Sequence, residues 1–341
     1  MPKYFSASPA PVDVFDVALL DLDGVVYIGE NAVPHAAESL TEGRSLGLGL
    51  AYVTNNASRP PSMVAEHLRE LGISARDEDV VTSAQAGARG MAGLLPQGSP
   101  VLAVGGLGVD AALVERGLVP VRSRSQGPIA VMQGFGKETA WAHLADAAFV
   151  LATGAPWVAT NMDFTIPTPD GRAPGNGAFV GVLVTVTGRS PDAIAGKPER
   201  PLVDESILRT GAQRPVMVGD RLDTDIEAAR RAGIPSLLVL TGVTHAEDLL
   251  AAPPQRRPDL LSADLRGLLH EHPEVLTSSE TAVCRSARAY IDRGALVLEG
   301  PDQTLADVED LWRVAAVLAW SHSGEVEAAV TRMHTSLRAL L

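Results

Sequence analysis

Asp21-Leu22-Asp23-Gly24-Val25 follows directly on the apolar run Val17-Ala18-Leu19-Leu20. Four apolar residues bounded by polar ones read as a short buried strand. Two carboxylates two residues apart, with a glycine behind them, then stand where that strand ends. Either they face a cleft or a cation, or they make an acidic turn, since Asp and Gly are common turn formers. Parallel sheets bind ligands at the carboxyl ends of their strands. One carboxylate at such a place can be a nucleophile and its neighbour an acid and base.

The same arrangement recurs further along. Gly49-Leu50-Ala51-Tyr52-Val53 is a second apolar run and ends in Thr54-Asn55-Asn56, with Ser58 close behind. Hydroxyl and amide groups there can hold phosphate oxygens or another oxyanion. They can equally cap a helix opening after Pro60-Pro61. Val216-Met217-Val218 is a third run, ending in Gly219-Asp220-Arg221-Leu222-Asp223-Thr224-Asp225. Thr224 suits the cap of a helix over 225–232, and Asp223 or Asp225 suits its N-terminal turn. Asp220 has no such helical reading. Ala195-Gly196-Lys197-Pro198 sets a lysine on a constrained backbone, either a fixed point charge for phosphate or a solvated surface lysine.

Asp21, Asp23 and Asp220 thus end strands of what reads as a single parallel sheet. Such a cluster repels itself unless a cation joins it, and all-oxygen ligation suits Mg²⁺. The formal charge of −13 argues against nucleic acid or an anionic membrane as partner, because both select basic surfaces. Cys284 is the single cysteine, which excludes an intrachain disulfide and suits a reducing cytoplasm. The first twelve residues lack the apolar core of a signal peptide, and no apolar run approaches about 18 residues, so no membrane span is expected.

Between these stretches the chain alternates strand and helix signals. Residues 1–13 read as an irregular tail, and Val25 to Gly29 as a short extended flap. A helix is expected from Pro34 to Gly43, and residues 62–95 read as helical with a break at Gly72-Ile73. Gly106-Leu107-Gly108-Val109-Asp110-Ala111 satisfies the dinucleotide-binding pattern G-x-G-x-x-A after an apolar strand. No acid follows between Arg116 and Lys137 to hold a ribose, although Arg122 and Arg124 would suit a ribose phosphate. Strands are expected over 129–132 and 157–160, with a helix over 138–151 between them. Residues 163–178 read as a proline- and glycine-rich loop. Val180 to Thr187 is strand by its branched residues, or helix. In the C-terminal part, Thr281–Tyr290 and Ala295–Leu298 flank a turn at Asp292-Arg293-Gly294. Thr304 with Asp307 fits a capping box, and two amphipathic helices follow.

Asp21-x-Asp23-Gly24-Val25, Thr54-Asn55-Asn56, Gly196-Lys197-Pro198 and Gly219-Asp220 with Thr224-Asp225, in that order, resemble the haloacid dehalogenase superfamily of phosphohydrolases. The insert between the second and third motifs resembles the α/β cap of its NagD-type branch. The likeness covers roughly residues 14–270 and includes Val104-Gly105-Gly106-Leu107-Gly108. It implies an α/β fold with a Rossmann-like parallel core over 14–87 and 191–272, a cap over 88–190 and a small α+β extension over 273–341. It favours helix for Val180–Thr187. It implies Asp21 as nucleophile and Asp23 as acid and base, with Mg²⁺ on Asp21, the Asp23 carbonyl and Asp220, supported by Asp225. Thr54, Asn55, Asn56 and Lys197 would hold the phosphate. The cap loop, through Asn161, Asp163, Arg172 and Asn176, would touch the leaving group. The implied activity is Mg²⁺-dependent hydrolysis of a small-molecule phosphate ester, glycerol 3-phosphate first and 2-phosphoglycolate second. An aspartyl-phosphate phosphotransferase, and a binding protein that kept the fold, are the other classes. Residues 273–341 pack on the core or serve as a homo-oligomer contact.

Overall fold

The computed structural model describes residues 4–168, 170–322 and 324–340. The chain divides into two compact units, Met1–Leu50 with Leu71–Ser74 and Ala212–Leu341, and Ala51–Glu70 with Ala75–Gly211. In chain order the first unit opens with α1 (Pro11–Val14), β1 (Val17–Leu20), β2 (Tyr27–Ile28), β3 (Asn31–Ala32) and α2 (Ala36–Ser45). Strand β4 (Gly49–Thr54) begins in the first unit and ends in the second.

The second unit holds α3 (Pro61–Glu70), β5 (Val80–Thr82), α4 (Ser83–Ala92), β6 (Pro100–Val104), α5 (Leu107–Glu115), β7 (Val119–Val121) and β8 (Ala130–Gln133). It continues with α6 (Trp141–Leu151), β9 (Trp157–Ala159), β10 (Thr165–Thr168), β11 (Gly171–Pro174), α7 (Asn176–Thr187), β12 (Ala193–Ile194) and α8 (Pro201–Thr210). The chain then returns to the first unit with β13 (Pro215–Gly219), α9 (Glu227–Ala232), β14 (Ser236–Val239), α10 (Ala246–Leu250) and β15 (Leu260–Ser262). Strands β16 (Leu276–Thr277), β17 (Thr281–Cys284), β18 (Ala287–Asp292) and β19 (Ala295–Glu299) and helices α11 (Leu305–Ala319) and α12 (Glu327–Arg338) complete it.

In the first unit β15, β14, β13 and β1 lie side by side in that order, all parallel. Every residue of these four strands is buried. Burial on both faces is why their sequences are continuous apolar runs and not alternating ones. Parallel pairing brings their carboxyl ends to one edge, with Leu20 opposite Val218 and Gly219 opposite Leu238.

Strands β16 to β19 form an antiparallel meander with α11 packed on it. The expected capping box is present: Asp307 N donates to Thr304 Oγ1 and Thr304 N to Asp307 Oδ2. Val308, Leu311, Trp312 and Ala315 of α11 join one apolar cluster with Leu238, Leu249 and Leu261 of the parallel-sheet side. The stretch 281–290 is not one strand. It turns at Arg285, whose φ of 49° carries no glycine or asparagine signal, and so splits into β17 and β18. The tail is partly regular too: α1 is a short helix, Phe5 is buried, and Ser8 pairs with His272. Residues 1–3 of the tail lie outside the described residues.

The second unit contains a parallel five-stranded sheet, β12-β9-β8-β6-β7, and the parallel pair β4 and β5. Two expectations change here, and the open reading of Val180–Thr187 resolves to the helix that the resemblance favoured. Strand β5 interrupts the stretch read as helical over 62–95, and Thr82 at its end caps α4 through a reciprocal bond with Gln85. The proline-rich loop carries a hairpin, β10 with β11; Pro169, within it, lies outside the described residues. Val180–Thr187 is the body of α7 despite its branched residues. Thr185 and Thr187 turn their hydroxyls onto the Gly181 and Leu183 carbonyls one turn back, and Gly188 ends the helix at φ 67°.

Candidate active site

In the first unit Asp21 stands one residue past β1 and Asp220 one residue past β13. The two strands are paired neighbours, and Asp21 N donates to the Val218 carbonyl at 2.9 Å. Asp225 joins them because the chain after Asp220 turns immediately into a π-helical turn over Leu222–Ile226. Its carboxylate accepts from Arg221 N at 3.1 Å. One carboxylate oxygen each of Asp21, Asp220 and Asp225 lies within 4.8 Å of the others. Asp220 and Asp225 are buried at 0% and 1% exposure and Asp21 is half-buried, whereas Asp23 is exposed.

Glycines make room for these acids. A Cβ on Gly242 would stand 1.9 Å from Asp220 Oδ2, and one on Gly24 would stand 2.6 Å from it. A Cβ on Gly219 would stand 2.2 Å from the Asp225 Cβ. The loop after β14 closes on the same residue: Val243 N donates to Asp220 Oδ2 at 2.7 Å and Thr244 Oγ1 to the Asp220 carbonyl at 2.6 Å. Thr241 Oγ1 donates to the Gly24 carbonyl. Sequence reading missed this loop. The Thr-Gly pair after a core strand was its signal. The expected cap role of Thr224 is not realised, since Thr224 lies inside the π turn. Asp223 is bound instead by two bonds from the Arg221 guanidinium. Its burial disfavours the charged form, but the guanidinium outweighs this and its pKa is lowered.

Three carboxylates gathered at this spacing, two of them out of water, fit a hard divalent cation. Oxygen donors alone suit Mg²⁺, and no His or Cys competes among the described groups of this kind.

In the second unit the polar residues after β4 meet the lysine 142 residues on. Lys197 N donates to Asn55 Oδ1 at 2.8 Å, and Asn55 Nδ2 returns a bond to the Lys197 carbonyl at 3.0 Å. The Asn55 amide also donates to Asp163 Oδ2 at 3.2 Å, while Asn161 Nδ2 and Ser83 Oγ donate to the Asn55 carbonyl, both at 2.7 Å. Gly196 has to be glycine, because a Cβ would stand 2.6 Å from both Asn55 Oδ1 and the Thr160 carbonyl. Lys197 is only 3% exposed, so it is not the solvated surface lysine, and its ammonium donates to the Val53 carbonyl at 3.3 Å.

Thr54 Oγ1 accepts from Asn56 N, and Asn56 Oδ1 accepts from Ser58 N and Ser58 Oγ, so this stretch stabilises its own turn. Of the cap-loop residues, Asn161 is buried and Asp163 half-buried against Asn55. Asn176 is buried with its amide on the Gln133 and Asn161 carbonyls, and Arg172 is exposed on β11. The G-x-G-x-x-A stretch serves packing. A Cβ on Gly106 would meet the Ser58 carbonyl at 2.4 Å, and one on Gly108 the Ala57 carbonyl at 2.4 Å. Arg122 caps β6, donating to the Ala103 and Gly105 carbonyls and pairing with Asp110, and Arg124 pairs with Asp146. Burial nonetheless raises the pKa of Asp110 over the pull of Arg122.

A family model described as haloacid dehalogenase-like hydrolase matches residues 18–119, and a second, described as HAD-hydrolase-like, matches 194–268. The D-glycerol 3-phosphate phosphatase of Mycobacterium tuberculosis is 41% identical over 333 residues, 95% of this chain and 93% of that protein. An acid sugar phosphatase of Staphylococcus aureus is 36% identical over 68% of this chain and 88% of its own. Among solved structures, a glycerol phosphate phosphatase from Mycobacterium tuberculosis in complex with magnesium superposes with a TM-score of 0.84 at 39% identity. That match covers 95% of this chain and 98% of the other. A p-nitrophenyl phosphatase from Archaeoglobus fulgidus gives 0.69 at 28% identity, over 75% and 98%.

Proposed function

This chain belongs to the haloacid dehalogenase-like hydrolases, and we propose that it is a Mg²⁺-dependent phosphomonoesterase whose substrate is glycerol 3-phosphate. The observation that carries the reading is the Asp21, Asp220 and Asp225 trio at the carboxyl edge of adjacent parallel strands. The choice of substrate is supported by the likeness to the Mycobacterium tuberculosis phosphatase over nearly the whole of both chains.

The chemistry follows from side chains in two roles. The Asp21 carboxylate attacks phosphorus in line, and the P–O bond to the glycerol oxygen breaks. Asp23, exposed beside it, gives its proton to the leaving alkoxide. A water then attacks phosphorus with Asp23 taking its proton, which releases phosphate and returns Asp21. Asp21, Asp220 and the Asp23 carbonyl would hold Mg²⁺, with Asp225 behind them. When bound, the ion offsets the negative charge shared by nucleophile and phosphate. Thr54 and Lys197 would hold the phosphoryl oxygens, as the motif resemblance implies, and Asn55 keeps Lys197 in place. The acidic chain does not favour nucleic acid as a partner, and the buried lone cysteine suits a cytoplasmic enzyme.

Phosphate release from a panel of phosphomonoesters, with Mg²⁺ and with chelator, tests this. Glycerol 3-phosphate is expected to give the highest kcat/KM, and Asp21→Asn to lose at least about 10³-fold. A faster rate on 2-phosphoglycolate would move the substrate and leave the reaction standing. Release by Asp21→Asn at the wild-type rate would remove the nucleophile assignment.

A further inference from the structure

Asp220 is held from a direction that none of the four sequence motifs contains. The loop from Thr241 to Thr244 delivers two bonds to it, Val243 N to the carboxylate and Thr244 Oγ1 to the carbonyl, and Thr244 N adds a third at 3.2 Å to that carbonyl. Gly242 presses its Cα face against the same carboxylate. Position and orientation of Asp220 therefore depend on where this loop sits.

The loop runs without interruption into α10, and α10 is clasped by the C-terminal helices. Ala246, Leu249 and Leu250 of α10 are buried in the cluster that contains Trp312 and Met333. Trp320 Nε1, just past α11, donates to the Leu249 carbonyl at 2.8 Å. His334 of α12 meets Glu247 at 2.8 Å. A five-residue helix is too short to hold itself in water. Its position is set by what it packs on, and that is α11 and α12.

We infer that Thr244 is a positioning residue for Asp220, and that the C-terminal module, residues 273–341, sets metal affinity through α10 and the Thr241–Thr244 loop. The inference rests on the reading above that Asp220 is a metal ligand. It gives the module a role in the reaction although it supplies none of the proposed reacting groups.

The test is divalent-metal binding by the full chain without substrate, by Mg²⁺ calorimetry and by Mn²⁺ electron paramagnetic resonance. Thr244→Val, which keeps shape and removes the hydroxyl, is expected to weaken binding about three- to tenfold, the scale of one lost hydrogen bond. Thr244→Ser is expected to restore it. Trp320→Phe, which keeps a ring and removes the indole N–H, is expected to weaken binding about two- to fivefold. At saturating metal, KM for glycerol 3-phosphate is expected to stay unchanged in all three. Wild-type metal affinity in Thr244→Val overturns the role of Thr244. Equal losses in Thr244→Val and Thr244→Ser overturn it as well, because the hydroxyl would then not be the cause. Wild-type affinity in Trp320→Phe overturns the coupling to the module. If Thr244→Val does not fold, Thr244→Ala takes its place with the same expected loss and the same overturning result, and Trp320→Phe still decides the coupling. A wild-type chain that binds neither cation removes the metal reading itself and this inference with it.

Discussion

Asn55 and Lys197, 142 residues apart in the chain, exchange two hydrogen bonds: the Asn55 side-chain amide donates to the Lys197 carbonyl and accepts from the Lys197 N–H. A side chain thus takes the place of a strand partner for the backbone N–H and C=O of one residue. The amide nitrogen's other bond goes to Asp163. Asn55 is therefore a brace for the lysine, and Lys197 and Thr54 remain as the phosphate-holding groups of the proposed mechanism.

Asn55→Asp tests the brace. The new carboxylate still accepts from Lys197 N but cannot donate to the Lys197 carbonyl, and it stands beside the Asp163 carboxylate. We expect kcat/KM to fall about 10²-fold, with circular dichroism and folding unchanged. Steady-state kinetics on purified protein reads this. Full activity would show that Lys197 is held without Asn55.

Gly242→Ala sets a methyl group 1.9 Å from Asp220 Oδ2. Either the carboxylate or the loop must shift. We expect a loss of about 1–3 kcal/mol in stability, measured by urea unfolding, together with weaker Mg²⁺ activation. A variant of native stability and native Mg²⁺ response would mean that the loop yields freely.

His272 supplies a pH dependence of stability. It is buried, its Nε2–H donates to the Gly267 carbonyl at 2.8 Å, and Nδ1 faces Arg313. Burial, with the nearby guanidinium, lowers its pKa from 6.5, against the pull of the Gly267 carbonyl and Glu309. In the unfolded chain the ring takes up a proton as pH falls through about 6.5, while in the folded chain it stays neutral to lower pH. The unfolded state then binds more protons, so stability falls with falling pH in that window. Tm measured from pH 7.5 to 5 is expected to drop, and His272→Asn to flatten that part of the profile. An unchanged slope in the variant would place the cause elsewhere.

Removal of residues 273–341 is expected to unfold or aggregate the remainder. It would strip Val308, Leu311, Trp312 and Ala315 from the cluster that holds Leu238, Leu249 and Leu261. It would also take away Glu309, which accepts from Ser262 Oγ and Ala263 N, and Arg313, which donates to the Leu261 carbonyl. Each large apolar side chain left in water costs about 1.5–3 kcal/mol, against a total stability of roughly 5–15 kcal/mol. Size-exclusion chromatography and circular dichroism of the truncated chain read the outcome, and a soluble, monodisperse fragment with native spectrum would contradict it. In the full chain the Cys284 thiol, buried and close to Asp310 with its pKa pushed up to about 12, is expected to resist thiol reagents until the protein unfolds.

The carboxylates were legible because their chemistry conflicts with their surroundings, since acids at the ends of apolar strands call for a charged partner, whereas Lys197 stood out only by its place between Gly196 and Pro198 and by the motif resemblance. The split of β17 from β18 was not legible, because Arg285 takes a positive φ without a residue type that prefers it. Strand β5 is three residues long, too short for periodicity to reveal beside two helices. The G-x-G-x-x-A stretch was legible as a pattern only. Its glycines answer to the carbonyls of Ala57 and Ser58, which lie about fifty residues earlier in the chain.

Sequence alone thus determined the parallel core and the family, and it singled out Asp21, Asp220 and Lys197 as candidates, since apolar runs and short motifs are local facts. Only the tertiary structure decided what orients those groups. Asn55 on Lys197, Gly242 and Thr244 on Asp220, and α11 with α12 on α10 are contacts between segments distant in the chain, and no local pattern encodes them.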